Sequence, residues 1–313
     1  MKIIISGASG LVATELIFHL LKDSDYQIIL LTRDIKSLRE RYKKYNDRIT
    51  VLTLDELAGL VINKCLDSVD VCVHTAFARS SDGIAISHSL EYTQCLARIC
   101  KELNVGKFIN ISSQSIYGND YTPGITETGD CNPSYMYALG KYCSEMLCSQ
   151  IFAGSNTKLY NIRLSSVCEN ARFVKVFVEN ALNGKEIVVT APNQIVSFID
   201  VRDVACALCK IISSNTAEPG IYNLGSGEWY DINTVANAVR SIGFNEYHLK
   251  DITVVTKESP DKPSIGMNVD KFKRSFDWAP TYVLKDMIDS IYQMLTNVNG
   301  GGYPISFKIV YAL

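Results

Sequence analysis

No stretch of this 313-residue chain comes near the twenty consecutive apolar residues that a membrane-spanning helix needs. The apolar start Ile3-Ile4-Ile5 gives way to Ser6-Gly7, too short a run for a signal peptide. Excess charge of one sign is also missing. The 31 basic and 33 acidic residues leave a net charge of -2, so no long-range field draws the protein to nucleic acid or anionic lipid. Histidine is scarce: His19, His74, His88 and His248 are scattered, no two at a metal-ligand spacing, so no metal is expected. No internal repeat or low-complexity segment interrupts the chain. These absences predict a soluble cytoplasmic protein acting on a small molecule, with neither nucleic acid nor membrane as partner.

Cysteine, by contrast, is plentiful. Ten are present, and Cys206 and Cys209 stand two residues apart, but they lie in the helical apolar pattern Val204-Ala205-Cys206-Ala207-Leu208-Cys209 with no histidine nearby. They read as a reduced, buried pair and not as a metal site. With 47% hydrophobic and 20% charged residues, the chain can bury one large core or two modest ones. His74 closes an apolar run, which predicts a core or supporting role.

Apolar runs alternate with helical patterns through the first half. Strands are expected at Lys2–Ser6, Gln27–Thr32, Ile49–Leu54, Val69–His74, Lys107–Ser112 and Lys158–Leu164, and helices at Leu11–Leu21, Ile35–Tyr45, Ser89–Leu103 and from Ser134 to about Phe152. Continuous apolar strands between helices predict a doubly wound parallel α/β sheet of about seven strands, covered on both faces. Beyond it the pattern is mixed, with helices expected at Arg172–Asn183, Ile232–Ser241 and Leu284–Leu295 and extended segments at Glu186–Thr190 and Asp251–Thr256. We read residues 1–165 as a dinucleotide-binding Rossmann domain with returns around 195–225, residues 166–298 as a smaller mixed α/β substrate-binding lobe, and 299–313 as a tail hinged on three glycines.

Two local patterns carry chemistry. Gly7, Gly10 and Ala13 are small residues three apart between a strand and a helix. The first permits a tight turn, the second lets backbone amides approach a pyrophosphate, and the third lets helix and strand pack closely. At the end of the second strand stands Thr32-Arg33-Asp34, where an acid would bond a ribose 2′-hydroxyl and an arginine a 2′-phosphate. Arg33 favours NADP, with NAD possible through Asp34. Farther on, Tyr137 and Lys141 are four apart, the spacing that sets two side chains on one helix face. A nearby cation lowers a phenol's pKa, so the pair can exchange a proton with a carbonyl or a secondary alcohol.

In combination these residues resemble the extended short-chain dehydrogenase/reductase family, also called the NAD-dependent epimerase/dehydratase family. The resemblance covers Met1 to about Leu295. It rests on GASGLVA at Gly7–Ala13, HTAFA at His74–Ala78, SSQSIYG at Ser112–Gly118, NPSYMYALGK at Asn132–Lys141, FIDVRDVA at Phe198–Ala205, YNLGSGE at Tyr222–Glu228 and FDWAP at Phe276–Pro280. It implies that Tyr137 is the acid/base, that Lys141 lowers its pKa and holds the nicotinamide ribose, and that Ser113 bonds the reacting oxygen, a role Ser115 could share. It implies cofactor contacts at Gly7, Ser9, Gly10, Leu11, Val12, Arg33, Thr75 and Ala76, a structural role for Asp203, and a homodimer packed through helices.

Departures from the family pattern narrow the choice. Gln114-Ser115 replaces the Asp-Glu pair of the dehydratases, so elimination of water is not expected. Val196 stands where many members clamp a nucleotide pyrophosphate with arginine; Lys175, Lys185, Arg202 and Lys262 are the other cations available. Ser89 and Ser166 replace the usual asparagines. The reading is a nucleotide-sugar 4-keto reductase with Ser-Tyr-Lys chemistry. Three alternatives stand beside it: an NAD-dependent nucleotide-sugar 4-epimerase, a reductase of small ketones or aldehydes, and a nonenzymatic dinucleotide sensor.

Overall fold

The computed structural model describes residues 1–23, 25–66, 68–119, 123–257 and 263–296; Lys262 and the 299–313 tail lie outside the described residues. In chain order the first half runs β1 (Lys2–Ser6), α1 (Leu11–Asp23), β2 (Gln27–Leu31), α2 (Ile35–Arg41), β3 (Ile49–Leu52), α3 (Leu54–Ile62), β4 (Val71–His74), α4 (Gly83–Glu102), β5 (Lys107–Ser113), α5 (Met136–Phe152) and β6 (Lys158–Leu164). The second runs β7 (Ser166–Val167), α6 (Arg172–Leu182), β8 (Ile187–Thr190), β9 (Ile195–Ile199), α7 (Val201–Ser213), β10 (Gly220–Leu224), β11 (Trp229–Asp231), α8 (Ile232–Tyr247), β12 (Val254–Lys257), α9 (Asp270–Phe276) and α10 (Leu284–Thr296).

Seven strands form a mostly parallel Rossmann-type sheet in the order β3-β2-β1-β4-β5-β6-β10. β1 pairs in parallel with both β2 and β4, so the chain order reverses beside it and its carboxyl end opens on the switch point where doubly wound sheets bind ligands. Ile3, Ile4 and Ile5 are all fully buried, the mark of a strand covered on both faces. Two compact units result. One holds Met1–Gly118, Cys131–Arg163 and Ala205–Tyr222; the other holds Asn119–Asp130, Leu164–Val204 and the described residues from Asn223 onward. Within the first, Leu96 and Cys100 of α4, Phe108 of β5, and Cys148 and Phe152 of α5 share one apolar cluster. The second contains a three-stranded sheet β11-β9-β7 and a two-stranded sheet β12-β8.

Several elements differ from expectation for local reasons. The helix expected over 35–45 breaks at Tyr42, whose backbone (φ -105°, ψ 17°) leaves the helical region and whose side chain is buried. α3 was legible but unread: Thr53 and Glu56 close a capping box at its start. α4 begins six residues before Ser89, at a cap in which Asp82 accepts from the amides of Ile84 and Ala85. The expected burial of Cys206 and Cys209 is corrected. Neither thiol is in a disulfide, but Cys206 is exposed and Cys209 half-buried, because Val201, Val204, Leu208 and Ile211 supply the inward stripe of α7. Among the described residues, no helix is long and apolar enough to cross a membrane.

Candidate active site

The turn after β1 is built around a position only glycine fills. Gly7 has φ +67°, and a Cβ there would stand 2.7 Å from Thr75 Oγ1 and 2.8 Å from the Ala76 backbone. Gly10 donates its amide to Gly7 O at 2.8 Å, and Thr14 donates to Gly10 O, which starts α1. The first turn of a helix leaves its amides without intrahelical carbonyls, so Leu11 and Val12 present N–H groups beside exposed Ser9 and Gly10. Such a glycine cradle at a helix start fits a pyrophosphate. The Leu11 side chain itself is buried, which restricts it to a backbone contact. Gly7→Ala is expected to abolish dinucleotide binding in calorimetry and to cost roughly 1–3 kcal/mol in urea unfolding through backbone strain.

Thr75 and Ala76 face this turn and are anchored to β1. Thr75 Oγ1 donates to Ser6 O at 2.7 Å, and the Ala76 amide reaches Ser6 Oγ at 3.5 Å. Ser6 Oγ meets His74 Nδ1 at 2.7 Å, while His74 Nε2 meets Thr93 Oγ1 at 2.9 Å. Because Thr93 spends its proton on Ser89 O, it accepts the Nε2 proton, and Nδ1 is left to accept from Ser6. Burial holds the imidazole neutral, lowering its pKa to about 3, with the Lys141 charge adding to the effect. His74 therefore supports the cradle from beneath, the role its strand-end position predicts.

Arg33, just past β2, is exposed. Asp34 caps α2 instead of projecting from the strand end: its Oδ1 accepts from the Ser37 amide at 3.1 Å.

On the other side of the switch point β5 ends at Ser113. Its Oγ accepts both the Ser115 amide at 3.2 Å and the Ser115 hydroxyl at 2.9 Å. Two donors on one oxygen leave the Ser113 proton to be donated elsewhere, and the hydroxyl stands near enough to the Tyr137 phenol to lower its pKa. Burial raises the Tyr137 pKa, while the Arg79 charge and the Ser113 hydrogen bond lower it. Lys141, one turn along α5, is buried and donates to Ile111 O at 2.6 Å. Desolvation lowers its pKa to about 7, opposed by Glu145 and Cys148.

The sequence thus places Ser113, Ser115 and Tyr137 together, and Lys141 on the same helix face. The exposed Arg79 adds a charge that lowers the Tyr137 pKa, while the Lys141 ammonium donates to a strand carbonyl. The sequence gives Phe77 only a place in the HTAFA motif and gives Arg79 no role. Both follow the strand-end His74 in HTAFARS, a stretch with no periodicity to mark it.

Other departures find local roles. Ser89 Oγ accepts the Ala78 amide at 3.0 Å and donates to Ala85 O, tying the segment after β4 to α4. Val196 is buried, Lys185 is exposed, and Arg202 is committed to Asp200 through Oδ1 and Oδ2 at 2.8 and 2.6 Å. Asp203 accepts the amides of Thr281 and Tyr282, a structural part.

The model of the NAD-dependent epimerase/dehydratase family matches residues 3–225. The chain belongs to that family. A protein described as an uncharacterized UDP-glucose epimerase, YtcB of Bacillus subtilis, is 29% identical over 167 residues, 47% of this chain and 51% of that protein. The chain thus spans about half the length of this relative. Low-salt glycan biosynthesis protein Agl12 of Haloferax volcanii is 22% identical over 93% of this chain and 97% of its own. Among solved structures, a UDP-glucuronic acid 4-epimerase from Bacillus cereus in complex with NAD has a TM-score of 0.79 at 20% identity, covering 95% of this chain and 99% of that one. A UDP-N-acetylglucosamine 4-epimerase from the same organism has a TM-score of 0.76 at 23% identity, covering 97% and 99%. In this family member the turn, the hydroxyl pair and the Tyr137 helix all lie in the first compact unit.

Proposed function

We propose that the protein is a dinucleotide-dependent oxidoreductase that interconverts a secondary alcohol and a ketone on a nucleotide-linked sugar, with 4-epimerisation as its overall reaction. The observation that carries the chemistry is the grouping of the Ser113–Ser115 hydroxyl pair with the Tyr137 phenol, whose pKa the Ser113 hydroxyl lowers. The dinucleotide supplies and takes back the hydride. Tyr137 gives or takes the proton of the reacting oxygen, Ser113 turns its one proton from the phenol to that oxygen when substrate binds, and Lys141 holds the nicotinamide ribose. No carboxylate follows Ser113, which disfavours dehydration; Gln114 and Ser115 stand there instead. The relatives named as 4-epimerases support the choice of reaction and substrate class, and the second compact unit is the part we assign to substrate binding.

A second reading is favoured by Arg33. An exposed guanidinium at the end of β2, beside an aspartate engaged as a helix cap, suits the 2′-phosphate of NADP, and NADP suits net reduction of a 4-keto sugar. Arg33→Ala is expected to weaken NADPH at least tenfold while leaving NADH within about twofold, read by calorimetry, since a charged hydrogen-bonded contact is worth about 1.5–3 kcal/mol. Equal effects on both would remove this reading. The two reactions separate in one assay with UDP-sugars and 4-keto sugar nucleotides. Epimer formation with constant absorbance at 340 nm identifies the epimerase, stoichiometric loss of NADPH identifies the reductase, and neither outcome overturns both.

Helix α5 also exposes Met136, Leu139 and Met146. We assign this apolar stripe to a homodimer contact, and a monomeric mass by light scattering at micromolar concentration would exclude it.

A further inference from the structure

Between the two functional side chains of α5 stands a residue from another element. Phe77 follows β4 by three positions and touches the Tyr137 helix at three places. The Lys141 ammonium lies over its ring, 4.3 Å from the centroid. The Tyr137 ring meets it edge to face, with centroids 6.1 Å apart and planes at 79°. Between these two contacts is Gly140, where a Cβ would stand 3.1 Å from Phe77 Cζ and 2.6 Å from Ile86 Cγ2. The helix therefore carries no side chain where the ring abuts it.

We propose that Phe77 is a positioning residue for the Tyr137–Lys141 pair, its face holding the Lys141 ammonium and its near-perpendicular packing fixing the tilt of the Tyr137 ring. The physical reason lies in the distribution of charge on a benzene ring. Its face is negative and its edge positive, so the face attracts a desolvated ammonium and two such rings pack edge to face. Lys141 has three N–H donors; Ile111 O takes one, and the ring face covers the ammonium on another side. Removed from water, that ammonium keeps its proton only as far as such contacts compensate. The remaining charged and titratable neighbours are Glu145 and Cys148 on α5, which favour the ammonium, and neutral His74 at the end of β4. The Glu145 charge is shared with Arg163, which leaves the ring as an independent contribution.

This inference rests on the proposed roles of Tyr137 and Lys141, yet its test needs no substrate. The folded state lowers the Lys141 pKa from 10.5 to about 7, so the unfolded chain binds the proton more tightly between those values. Stability due to this group must therefore rise with pH from about 7 to 10.5 and be flat below. Urea unfolding of the dinucleotide-free full chain is measured from pH 6 to 10, and the profile of Lys141→Met is subtracted to isolate this slope. Phe77→Leu, which keeps an apolar side chain but no quadrupole, is expected to move the onset of the slope about one pH unit lower, a tenfold loss in ammonium affinity for its proton. A chain carrying 3,5-difluorophenylalanine at position 77 keeps the shape, weakens the face, and is expected to move the onset in the same direction by less. In the Lys141→Met background neither change should alter the pH dependence. If the difluoro chain overlays the native profile, the ring acts by packing alone and the proposal is wrong, whether or not Phe77→Leu folds. A shifted onset in a protein that turns over no sugar nucleotide would instead uphold Phe77 and remove the proposed function.

Discussion

Tyr137→Phe is expected to lower turnover by about 10²–10⁴-fold, the usual contribution of a placed proton donor or acceptor, with dinucleotide affinity staying within about twofold. The phenol stands beside a hydroxyl pair in which Ser115 donates to Ser113, and the Ser113 hydroxyl lowers its pKa. Removing the phenolic oxygen takes away the proton-transfer group and touches nothing in the glycine turn, which belongs to a different strand and helix. Steady-state assay with the accepted substrate reads the first effect and calorimetric titration the second. A variant with unimpaired turnover would refute the assignment of Tyr137 as the acid/base and revive the sensor reading. The Arg79 charge predicts a companion result. Arg79→Gln withdraws a cation that lowers the Tyr137 pKa, so the limb of the pH–rate profile that reports phenol ionisation should move upward, opposite to the direction an added cation would give.

The largest effect on stability is expected at Arg163. Its guanidinium grips both oxygens of Glu145, Nε to Oε1 at 3.2 Å and Nη2 to Oε2 at 2.9 Å, and donates to Tyr117 Oη at 2.9 Å. Both side chains are nearly inaccessible, at 3% and 4%. Arg163→Met strands a carboxylate away from water and should cost about 3–5 kcal/mol, the measured range for a buried pair broken on one side. Combining it with Glu145→Leu removes the stranded charge and should recover most of that loss, because two apolar residues need no pairing. Urea unfolding of the single and double variants decides it. Additive losses would show that the pair contributes through packing, not through charge.

The pair also bears on function. Glu145 follows Lys141 by one helical turn and favours its ammonium, so the arginine that neutralises Glu145 limits that influence. A structural ion pair and the ionisation of a functional lysine are thus linked through one α5 face.

Much of the fold was legible because its signals are local. Ile3 to Ile5 could only be a strand buried on both faces, and Gly7, Gly10 and Ala13 could only be a tight strand-to-helix turn. The spacing of Tyr137 and Lys141 correctly placed them on one helix face. What escaped were features with no period. α3 announced itself only by its Thr53–Glu56 capping box, the helix expected over 35–45 failed at a tyrosine that turned inward, and Cys206 lay outside the apolar stripe of α7. Phe77 and Arg79 sit in an irregular segment where sequence carries no direction, so neither could be aimed at Tyr137 without coordinates.

By itself, then, the sequence determined the doubly wound sheet, the glycine turn after its first strand and the common helix of Tyr137 and Lys141, since each depends on neighbours a few positions apart. Tertiary structure decided which way the protons and charges point. Ser115 donates to Ser113, the Arg79 charge offsets part of the burial that raises the Tyr137 pKa, and Lys141 turns to Ile111 and the Phe77 face. Those assignments depend on segments brought together from distant parts of the chain, where burial removes water and leaves each polar group to the acceptor that packing provides.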